Sequence, residues 1–181
     1  MICAIVAMSQ NRIIGRDGGL PWYLPEDLKR VSTLTTGHVV LMGRSTFFSL
    51  PKKFRPLPHR ISIVVSSGLE KAAMPDPRED DLATECHLVR GVEEGIQWYE
   101  THKKAGQILW IFGGASIYQQ TQDLWDQVYL TLIESKIEGD RKFPEFESAF
   151  EEVQREQMNS AQVGDYSFIR YNRRKCYSDK H

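Results

Sequence analysis

Continuous apolar runs, rather than alternating ones, mark the strands that the sequence predicts. Such runs lie at residues 2–8, 39–42, 61–65, 108–112 and 128–133, and they are rich in residues that favour strands. A strand is apolar throughout when both of its faces are covered, as in a parallel sheet that lies between layers of helices. The pattern therefore predicts a buried, largely parallel sheet.

Helices are predicted between several of these strands. One begins at Pro25, where a proline followed by two acids is typical of a first helical turn, and others cover residues 92–100 and 115–124. Strands that alternate with helices indicate an α/β fold with helices on both faces of one central sheet. We expect about eight strands in a single domain over residues 1–181.

The last third of the chain breaks this alternation. Residues 151–158 and 166–173 are separated by a segment that contains Gly164, which predicts an antiparallel hairpin at one edge of the sheet. Residues 68–85 are rich in proline and acids, and we interpret them as a long surface connection. Residues 173–181 are expected to form a frayed tail.

Composition and charge narrow the class of protein. The chain has 181 residues, of which 41% are hydrophobic, and this suffices for one core. Its 23 basic and 24 acidic residues nearly cancel, which argues against nucleic acid or a membrane surface as a partner. No apolar run approaches the roughly 18 residues of a membrane helix. The start of the chain lacks a basic leader. We expect a cytoplasmic monomer that binds a small-molecule substrate.

Neither a disulfide framework nor a metal site is expected. The three cysteines, Cys3, Cys86 and Cys176, are an odd number at unrelated spacings, which favours a reducing compartment. No two of the five histidines have the spacing that places both on one helix face, and Cys86 and His87 are the only adjacent pair among the cysteines and histidines.

Glycines and hydroxyls follow two of the predicted strands. Residues 43–46 (Gly-Arg-Ser-Thr) and 113–116 (Gly-Gly-Ala-Ser) each lie where a strand passes into a helix, and free N–H groups at a helix start attract phosphate. One such turn is better explained by the tight bend that glycine allows. Two in one sheet favour a dinucleotide. Ser66 and Ser67 end another strand without an acid, and Arg44 is available for a phosphate, so we expect NADPH rather than NADH.

Asp27 is the candidate for chemistry. It lies in a first helical turn among apolar residues such as Leu24 and Leu28, although an acid there is also favoured by the helix dipole alone. Residues 15–22 precede it and combine glycines with Leu20, Pro21 and Trp22. This composition suits a lid over a site, and an ordinary loop is equally compatible with it.

Taken together, these segments resemble the dihydrofolate reductase family. The resemblance covers most of residues 1–67 and 107–146, is thin through 68–106 and fades after 147. The segments that carry it are Ile13-Ile14-Gly15, Leu20-Pro21-Trp22, Leu24-Pro25-Glu26-Asp27-Leu28, Met42-Gly43-Arg44-Ser45-Thr46, Ile111-Phe112-Gly113-Gly114, Ile117-Tyr118, Thr131 and Glu138-Gly139-Asp140.

The resemblance implies an activity and a set of site residues. A member of this family reduces 7,8-dihydrofolate with NADPH, passing a hydride to pterin C6 while N5 gains a proton, and needs no metal. Asp27 would bind the 2-amino group and adjacent ring nitrogen, with the Thr131 hydroxyl in support. The catalytic set would be Asp27, Leu20, Trp22, Thr131 and Tyr118.

The same resemblance implies the remaining contacts. Arg60 would bind the glutamate α-carboxylate of the substrate, although a surface charge is the alternative reading of an arginine there. The other substrate contacts would be Ile5, Ala7, Leu28, Val31, Leu50, Leu57 and Phe112. The cofactor contacts would be Ala7, Ile14, Gly15, Leu20, Gly43, Arg44, Ser45, Thr46, Val65, Ser66, Ser67, Phe112, Gly113, Gly114, Ala115, Ser116, Ile117 and Tyr118.

Three residues depart from the family's usual pattern. Val31 stands where phenylalanine is common, which removes about 1 kcal/mol of apolar contact with the substrate. Ser116 stands where some bacterial members have an arginine, which leaves Arg44 as the main cationic anchor and weakens the preference for NADPH. Tyr23 adds an aromatic ring beside the lid.

Two other functions fit parts of the pattern. A protein that binds the dinucleotide without turnover would keep the glycine turns, but it would have no need of Asp27, Trp22 and Thr131 together. A reductase of another pterin or of a riboflavin-pathway substrate would keep the reaction but would have no need of Arg60.

Overall fold

The computed structural model describes residues 1–68 and 84–175, and these form ten strands and four α-helices. The strands are β1 (Ile2–Ser9), β2 (Ile13–Gly15), β3 (Val39–Gly43), β4 (Ile61–Val65), β5 (Glu85–Val89), β6 (Leu109–Ile111), β7 (Gln127–Ile133), β8 (Arg141–Lys142), β9 (Phe150–Ser160) and β10 (Gly164–Arg173). The helices are α1 (Pro25–Thr35), α2 (Arg44–Ser49), α3 (Val92–His102) and α4 (Ala115–Thr121). Short 3₁₀ turns lie at Lys52–Phe54, Gln122–Leu124 and Glu147–Ala149.

Eight of the strands form one mixed sheet in the order β5-β4-β3-β6-β1-β7-β10-β9. Every pairing from β5 through β7 is parallel, whereas β10 runs antiparallel to both β7 and β9. The predicted α/β fold, with its sheet of about eight strands and an antiparallel hairpin at one edge, is confirmed.

The central strands bury both of their faces, which explains their continuous apolar sequences. On β1, Ala4 and Val6 pack into a core with α3 and α4, while Cys3 and Ile5 pack into a second core with α1 and α2. Residues on β3 and β6 alternate between the same two cores. The sheet therefore lies between two helical layers.

Several elements differ from the prediction. The short strands β2 and β8 pair with each other outside the main sheet, and β5 lies at its edge; none of the three was predicted. Helix α4 ends at Thr121 rather than at residue 124, because the chain tightens there into a 3₁₀ turn. The hairpin strands are longer than predicted and leave only residues 161–163 between them.

Arg173 was expected to begin a frayed tail, and this was wrong. It ends β10, its guanidinium donates hydrogen bonds to the carbonyl oxygens of Trp125 (2.6 Å) and Gln122 (2.7 Å), and it lies 4.7 Å from the centre of the Phe150 ring. The Arg174 N–H also donates to the Ala149 carbonyl oxygen. The rest of the predicted tail from residue 176, most of the predicted 68–85 connection and Cys176 lie outside the described residues.

Across the two described ranges, no helix is both long and apolar enough to cross a membrane.

Candidate active site

Asp27 is buried beneath the first turn of α1, with 7% of its surface exposed. Pro25 begins the helix, and the Asp27 side chain does not cap its N-terminus but turns inward. The Thr131 hydroxyl on β7 donates a hydrogen bond of 2.6 Å to Asp27 Oδ1. The two residues that the family resemblance placed together are therefore in contact, although 104 positions separate them.

Two opposing effects act on the pKa of the Asp27 carboxyl group. Burial raises its pKa above the usual aspartate value, while the Thr131 hydrogen bond and the charge of Arg30 lower it. The Thr131 bond is to Oδ1, and no donor within residues 1–68 and 84–175 is hydrogen-bonded to Oδ2, so Oδ2 can accept donors from a ligand.

Arg30 belongs to the same cluster, and the sequence analysis missed it. It lies one helical turn after Asp27 on α1 and donates a 3.1 Å hydrogen bond to Thr131 Oγ1. Its position three residues from Asp27 places both side chains on one face of the helix, and this spacing was the signal that could have found it.

The mouth of the site is a pocket in front of Asp27, lined by the residues Leu20, Trp22, Tyr23, Leu24, Asp27 and Leu28. Leu20 is 54% exposed, Leu28 49% and Tyr23 65%, whereas Trp22 is half-buried beside Leu24. Trp22 Nε1 is buried and has no hydrogen-bond partner among the residues that the structure describes. An indole N–H of this kind is available to a ligand or water in the pocket.

Tyr118 lies in the core on the opposite face of the sheet, behind β1. Its hydroxyl donates a 2.6 Å hydrogen bond to the carbonyl oxygen of Ile5, and its ring packs edge-on against Phe143. Burial, followed by the nearby negative charge of Asp27, raises its pKa far above the usual tyrosine value. The phenol is therefore neutral at physiological pH, and here it fixes the backbone of β1.

An apolar wall extends from Asp27 along α1 and α2. Ile5 and Leu57 are buried in one core cluster, and Val31, Leu50 and Phe112 pack against it as half-buried side chains. Five residues of the predicted substrate pocket are thus brought together. Ala7 is half-buried on β1 opposite Thr131, and Leu28 lines the mouth instead of this wall.

Arg60 is buried, with 7% of its surface exposed, so the surface-charge reading is wrong. Its guanidinium donates hydrogen bonds to Thr35 Oγ1 at 3.0 Å and to the Pro58 carbonyl oxygen at 2.9 Å. Burial lowers its pKa, and no carboxylate lies within ion-pair distance in the described part of the chain. A buried cation without an anion is a strong site for a carboxylate of a ligand.

The two glycine turns meet at the carboxyl ends of β3 and β6. The Gly43 N–H donates a 2.8 Å hydrogen bond to the Gly113 carbonyl oxygen, and a Cβ added at Gly114 would lie 3.3 Å from Thr46 Oγ1. Gly113 has a φ of +100°, and a Cβ there would lie 2.9 Å from the Tyr118 ring. Only glycine fits this position without strain.

Polar groups surround this junction. Arg44 and Ser45 are exposed at the start of α2, where the sequence placed them, and Thr46 is half-buried beside them. Neither α2 nor α4 has a side chain that caps its N-terminus. Val65 is paired with Gly43, so Ser66 and Ser67 leave β4 on the same edge of the sheet.

The segment before the pocket is joined to the body of the protein at Gly15. The Asp140 N–H donates a 3.0 Å hydrogen bond to the Gly15 carbonyl oxygen, and Ile13 pairs with Lys142. Residues 16–19 then form a tight turn, closed by hydrogen bonds between Arg16 and Gly19. Ile14, a predicted cofactor contact, lies half-buried in β2 between these points.

The sequence profile of the dihydrofolate reductase family matches residues 1–173. The chain belongs to this family. It is 36% identical to the dihydrofolate reductase of Bacillus subtilis over 177 residues, which is 96% of this chain and 95% of that protein. It is 33% identical over 175 residues to dihydrofolate reductase HdrB of Haloferax volcanii, across 94% of this chain and 82% of its relative.

The fold agrees with this membership of the dihydrofolate reductase family. A dihydrofolate reductase from Enterococcus faecalis, solved in complex with NADP(H) and RAB-propyl, superposes with a TM-score of 0.76 at 29% identity, over 97% of both chains.

The structure shows where the three residues that depart from the family's usual pattern lie. Val31 is half-buried against the apolar wall and leaves more room beside it than phenylalanine would. The hydroxyl of Ser116 is 2.9 Å from Gln120 Nε2, which donates to it, so Ser116 is engaged within α4. Tyr23, the third, has an exposed ring at the mouth of the pocket.

Proposed function

We propose that this chain catalyses the NADPH-dependent reduction of 7,8-dihydrofolate to 5,6,7,8-tetrahydrofolate, a reaction that supports one-carbon metabolism. The observation that carries this proposal is the buried carboxylate of Asp27, which is hydrogen-bonded to Thr131 through one oxygen and free at the other. This carboxylate faces the apolar pocket of a chain that belongs to the dihydrofolate reductase family.

Asp27 is the anchor for the pterin ring. A carboxylate accepts two parallel hydrogen bonds from the 2-amino group and the adjacent ring nitrogen, and each such bond contributes about 1.5–3 kcal/mol. Thr131 holds Oδ1 in place, which fixes the plane of the carboxylate. The negative charge of Asp27 also favours the protonated form of the bound pterin.

The junction between α2 and α4 fits the cofactor. Uncapped N–H groups, the hydroxyls of Ser45 and Thr46 and the exposed cation of Arg44 suit a diphosphate and a further phosphate group. When bound, NADPH supplies the hydride that reduces pterin C6. The glycines at positions 43, 113 and 114 let the backbone approach such a ligand closely.

The lid residues control the access of water. Leu20 and Trp22 line the pocket in front of Asp27, so a closed lid would keep bulk water from the ring while admitting a single molecule that protonates N5. No described acid other than Asp27 lines this pocket. Tyr118 keeps β1 fixed beneath the reacting rings through its bond to Ile5.

Arg60 favours a folate over other pterins. The buried guanidinium is hydrogen-bonded to the carbonyl oxygen of Pro58, which follows Leu57 of the apolar wall, and it lacks an anion among the described residues. The α-carboxylate of the glutamate tail would supply that anion, and the wall formed by Val31, Leu50 and Leu57 suits the benzoyl ring between the two anchors.

Consumption of NADPH by the purified protein in the presence of dihydrofolate tests the proposal. Asp27→Asn should lower kcat/KM at least about tenfold, because the amide keeps one acceptor but loses the charge. Its affinity for NADPH should stay unchanged, since Asp27 lies away from the α2–α4 junction. A wild-type protein that binds NADPH and does not turn over dihydrofolate would contradict the assigned reaction.

We propose further that residues 1–181 form one domain, that the protein is a monomer and that it works in the cytoplasm. The two cores share the strands of one sheet, and Cys3 and Cys86 are free thiols, which fits a reducing compartment. Sedimentation at micromolar concentration tests the oligomeric state, and a dimer there would overturn this part.

A further inference from the structure

Arg30 is the first link of a chain of hydrogen bonds that ends on Asp27. Its Nη1 donates to Thr131 Oγ1 at 3.1 Å, and Thr131 Oγ1 is 2.6 Å from Asp27 Oδ1. A second, longer bond of 3.4 Å joins the same Nη1 to the Leu130 carbonyl oxygen. The guanidinium is thus held against β7, and the Thr131 hydroxyl links it to the carboxylate.

The chemistry of these groups gives the chain one direction. A guanidinium has donors only, whereas a hydroxyl has one hydrogen and two lone pairs. Thr131 Oγ1 therefore accepts from Arg30, and its single hydrogen is directed to Asp27. Hydrogen bonds aligned in this way polarise one another, and here each link turns its positive end toward the carboxylate.

Aromatic rings hold Arg30 in place from two strands. Its guanidinium carbon lies 4.4 Å from the centre of the Phe168 ring on β10 and 5.9 Å from that of Tyr129 on β7. No carboxylate within residues 1–68 and 84–175 forms an ion pair with it at 4.0 Å or less. Its cation is therefore not neutralised by direct contact with another acid.

Other ionisable groups face Asp27 and Arg30. Tyr118 on α4 and Tyr166 on β10 lie near Asp27, and burial raises the pKa of both phenols, so they carry no charge at neutral pH. Glu26 is exposed on the same helix as Asp27, and Glu156 on β9 acts on Arg30 as a more distant negative charge. Arg30 is the cation that acts on Asp27.

We infer that Arg30 is a positioning residue for the proposed reduction of dihydrofolate: it directs the Thr131 hydroxyl at Asp27, and its charge favours the carboxylate form that receives the pterin. This inference rests on the proposed function for its catalytic consequence. Its effect on Asp27 itself is a property of the protein without substrate.

The titration of Asp27 tests the inference directly. Carboxyl ¹³C NMR of the protein without ligands should show a higher pKa for Asp27 in Arg30→Met than in the wild type. In Arg30→Lys, which keeps the positive charge, the pKa should return toward the wild-type value. At neutral pH, kcat/KM for dihydrofolate should fall about two- to tenfold in Arg30→Met, the range expected for one lost hydrogen bond.

Arg173→Met is the matched control, because Arg173 also lies over an aromatic ring, at 4.7 Å from the centre of Phe150, but far from the site. It should leave the Asp27 titration unchanged. If Arg30→Met does not fold, Arg30→Gln removes the charge while keeping an amide donor. An Asp27 pKa that is the same in the wild type and in the uncharged variant would overturn the inference.

The two proposals fail separately. A wild-type protein that does not reduce dihydrofolate would refute the proposed function, and the titration would still decide whether Arg30 acts on Asp27. Conversely, if the enzyme is active and the Asp27 titration does not change, Arg30 only packs against its neighbours, and the proposed reaction still stands.

Discussion

Asp27 occupies a place in which an ionised side chain lowers the stability of the protein. Burial raises its pKa in the folded state above the value of about 4 that it has in an unfolded chain. Between these two pKa values the folded state binds more protons than the unfolded state, so the free energy of unfolding falls as pH rises through this window. Above the pKa of the folded state, the stability that protonation of Asp27 contributes is fully lost.

The free energy of unfolding of Asp27→Asn, minus that of the wild type, should therefore be larger at pH 7 than at pH 4. Urea unfolding at both pH values measures this difference. Glu26→Gln, which removes the neighbouring exposed acid, should show no comparable gain. A gain for Asp27→Asn that does not grow with pH would contradict the assigned burial cost.

Arg60 should determine the affinity for the substrate rather than the rate of the reaction. Arg60→Ala removes the proposed charged partner of the glutamate carboxylate, so KM for dihydrofolate should rise about tenfold or more while kcat changes less. A dihydropterin without the glutamate tail should react equally well with both proteins. Arg90→Ala, which removes an exposed arginine elsewhere, serves as the control. Unchanged dihydrofolate kinetics would remove the support for a folate substrate.

Gly139 controls how closely the loop after β7 approaches β2. A Cβ at this position would lie 2.3 Å from Ile13 Cγ2 and 2.5 Å from the Gly15 carbonyl oxygen, so Gly139→Ala must push these segments apart. The hydrogen bond from Asp140 to Gly15 would then weaken, and with it the support of the proposed lid at residues 15–22.

We expect Gly139→Ala to lower kcat and alter KM together, as mutations that disturb a lid do, and to speed hydrogen exchange of the Asp140 amide. Gly106→Ala is the control, because it introduces strain at a φ of +79° without a contact near the lid. It should reduce stability and spare turnover. Equal turnover in the wild type and Gly139→Ala would show that this contact does not support the lid.

At the scale of elements, the sequence predicts the strands that are buried on both faces and the hairpin of β9 and β10, which Gly164 marks, but it misses the short or edge strands β2, β5 and β8. The runs of β1, β3 and β4 are apolar because helices cover both faces of the sheet. In contrast, β8 is the exposed pair Arg141–Lys142, and β5 begins with the exposed Glu85 at the edge of the sheet. Such strands are defined by pairing with distant residues, which leaves no periodic signal in their own sequence.

The site likewise combines features that are local in the sequence with contacts that depend on the packing of distant elements. The position of Asp27 in a first turn and the glycines that end β3 and β6 are local features, and the family resemblance joined them to Thr131. The contact between Arg30 and Thr131 requires the register of α1 against β7, which depends on the packing of the whole sheet. The burial of Arg60 likewise depends on its bond to Thr35 at the end of α1.

At the scale of the molecule, the two cores should unfold together. Both are built on the same strands, so neither helical layer can detach without exposing the sheet. We expect one cooperative transition by heat or urea, with the same midpoint by circular dichroism and by tryptophan fluorescence. NADPH at a hundred times its Kd should add about 2.7 kcal/mol to the free energy of unfolding. Two separate transitions would contradict the single domain.

The central position of β1 has a consequence for a ribosome making this protein. Ile2 is aligned with Leu109 on one side, and Cys3 with Gln127 on the other. Strand β1 therefore leaves the ribosome well before either neighbour, and it stays unpaired until residues 109 and 127 have been translated. During that interval its apolar side chains are exposed to the cell, so nascent chains halted before residue 127 should be held by chaperones or aggregate.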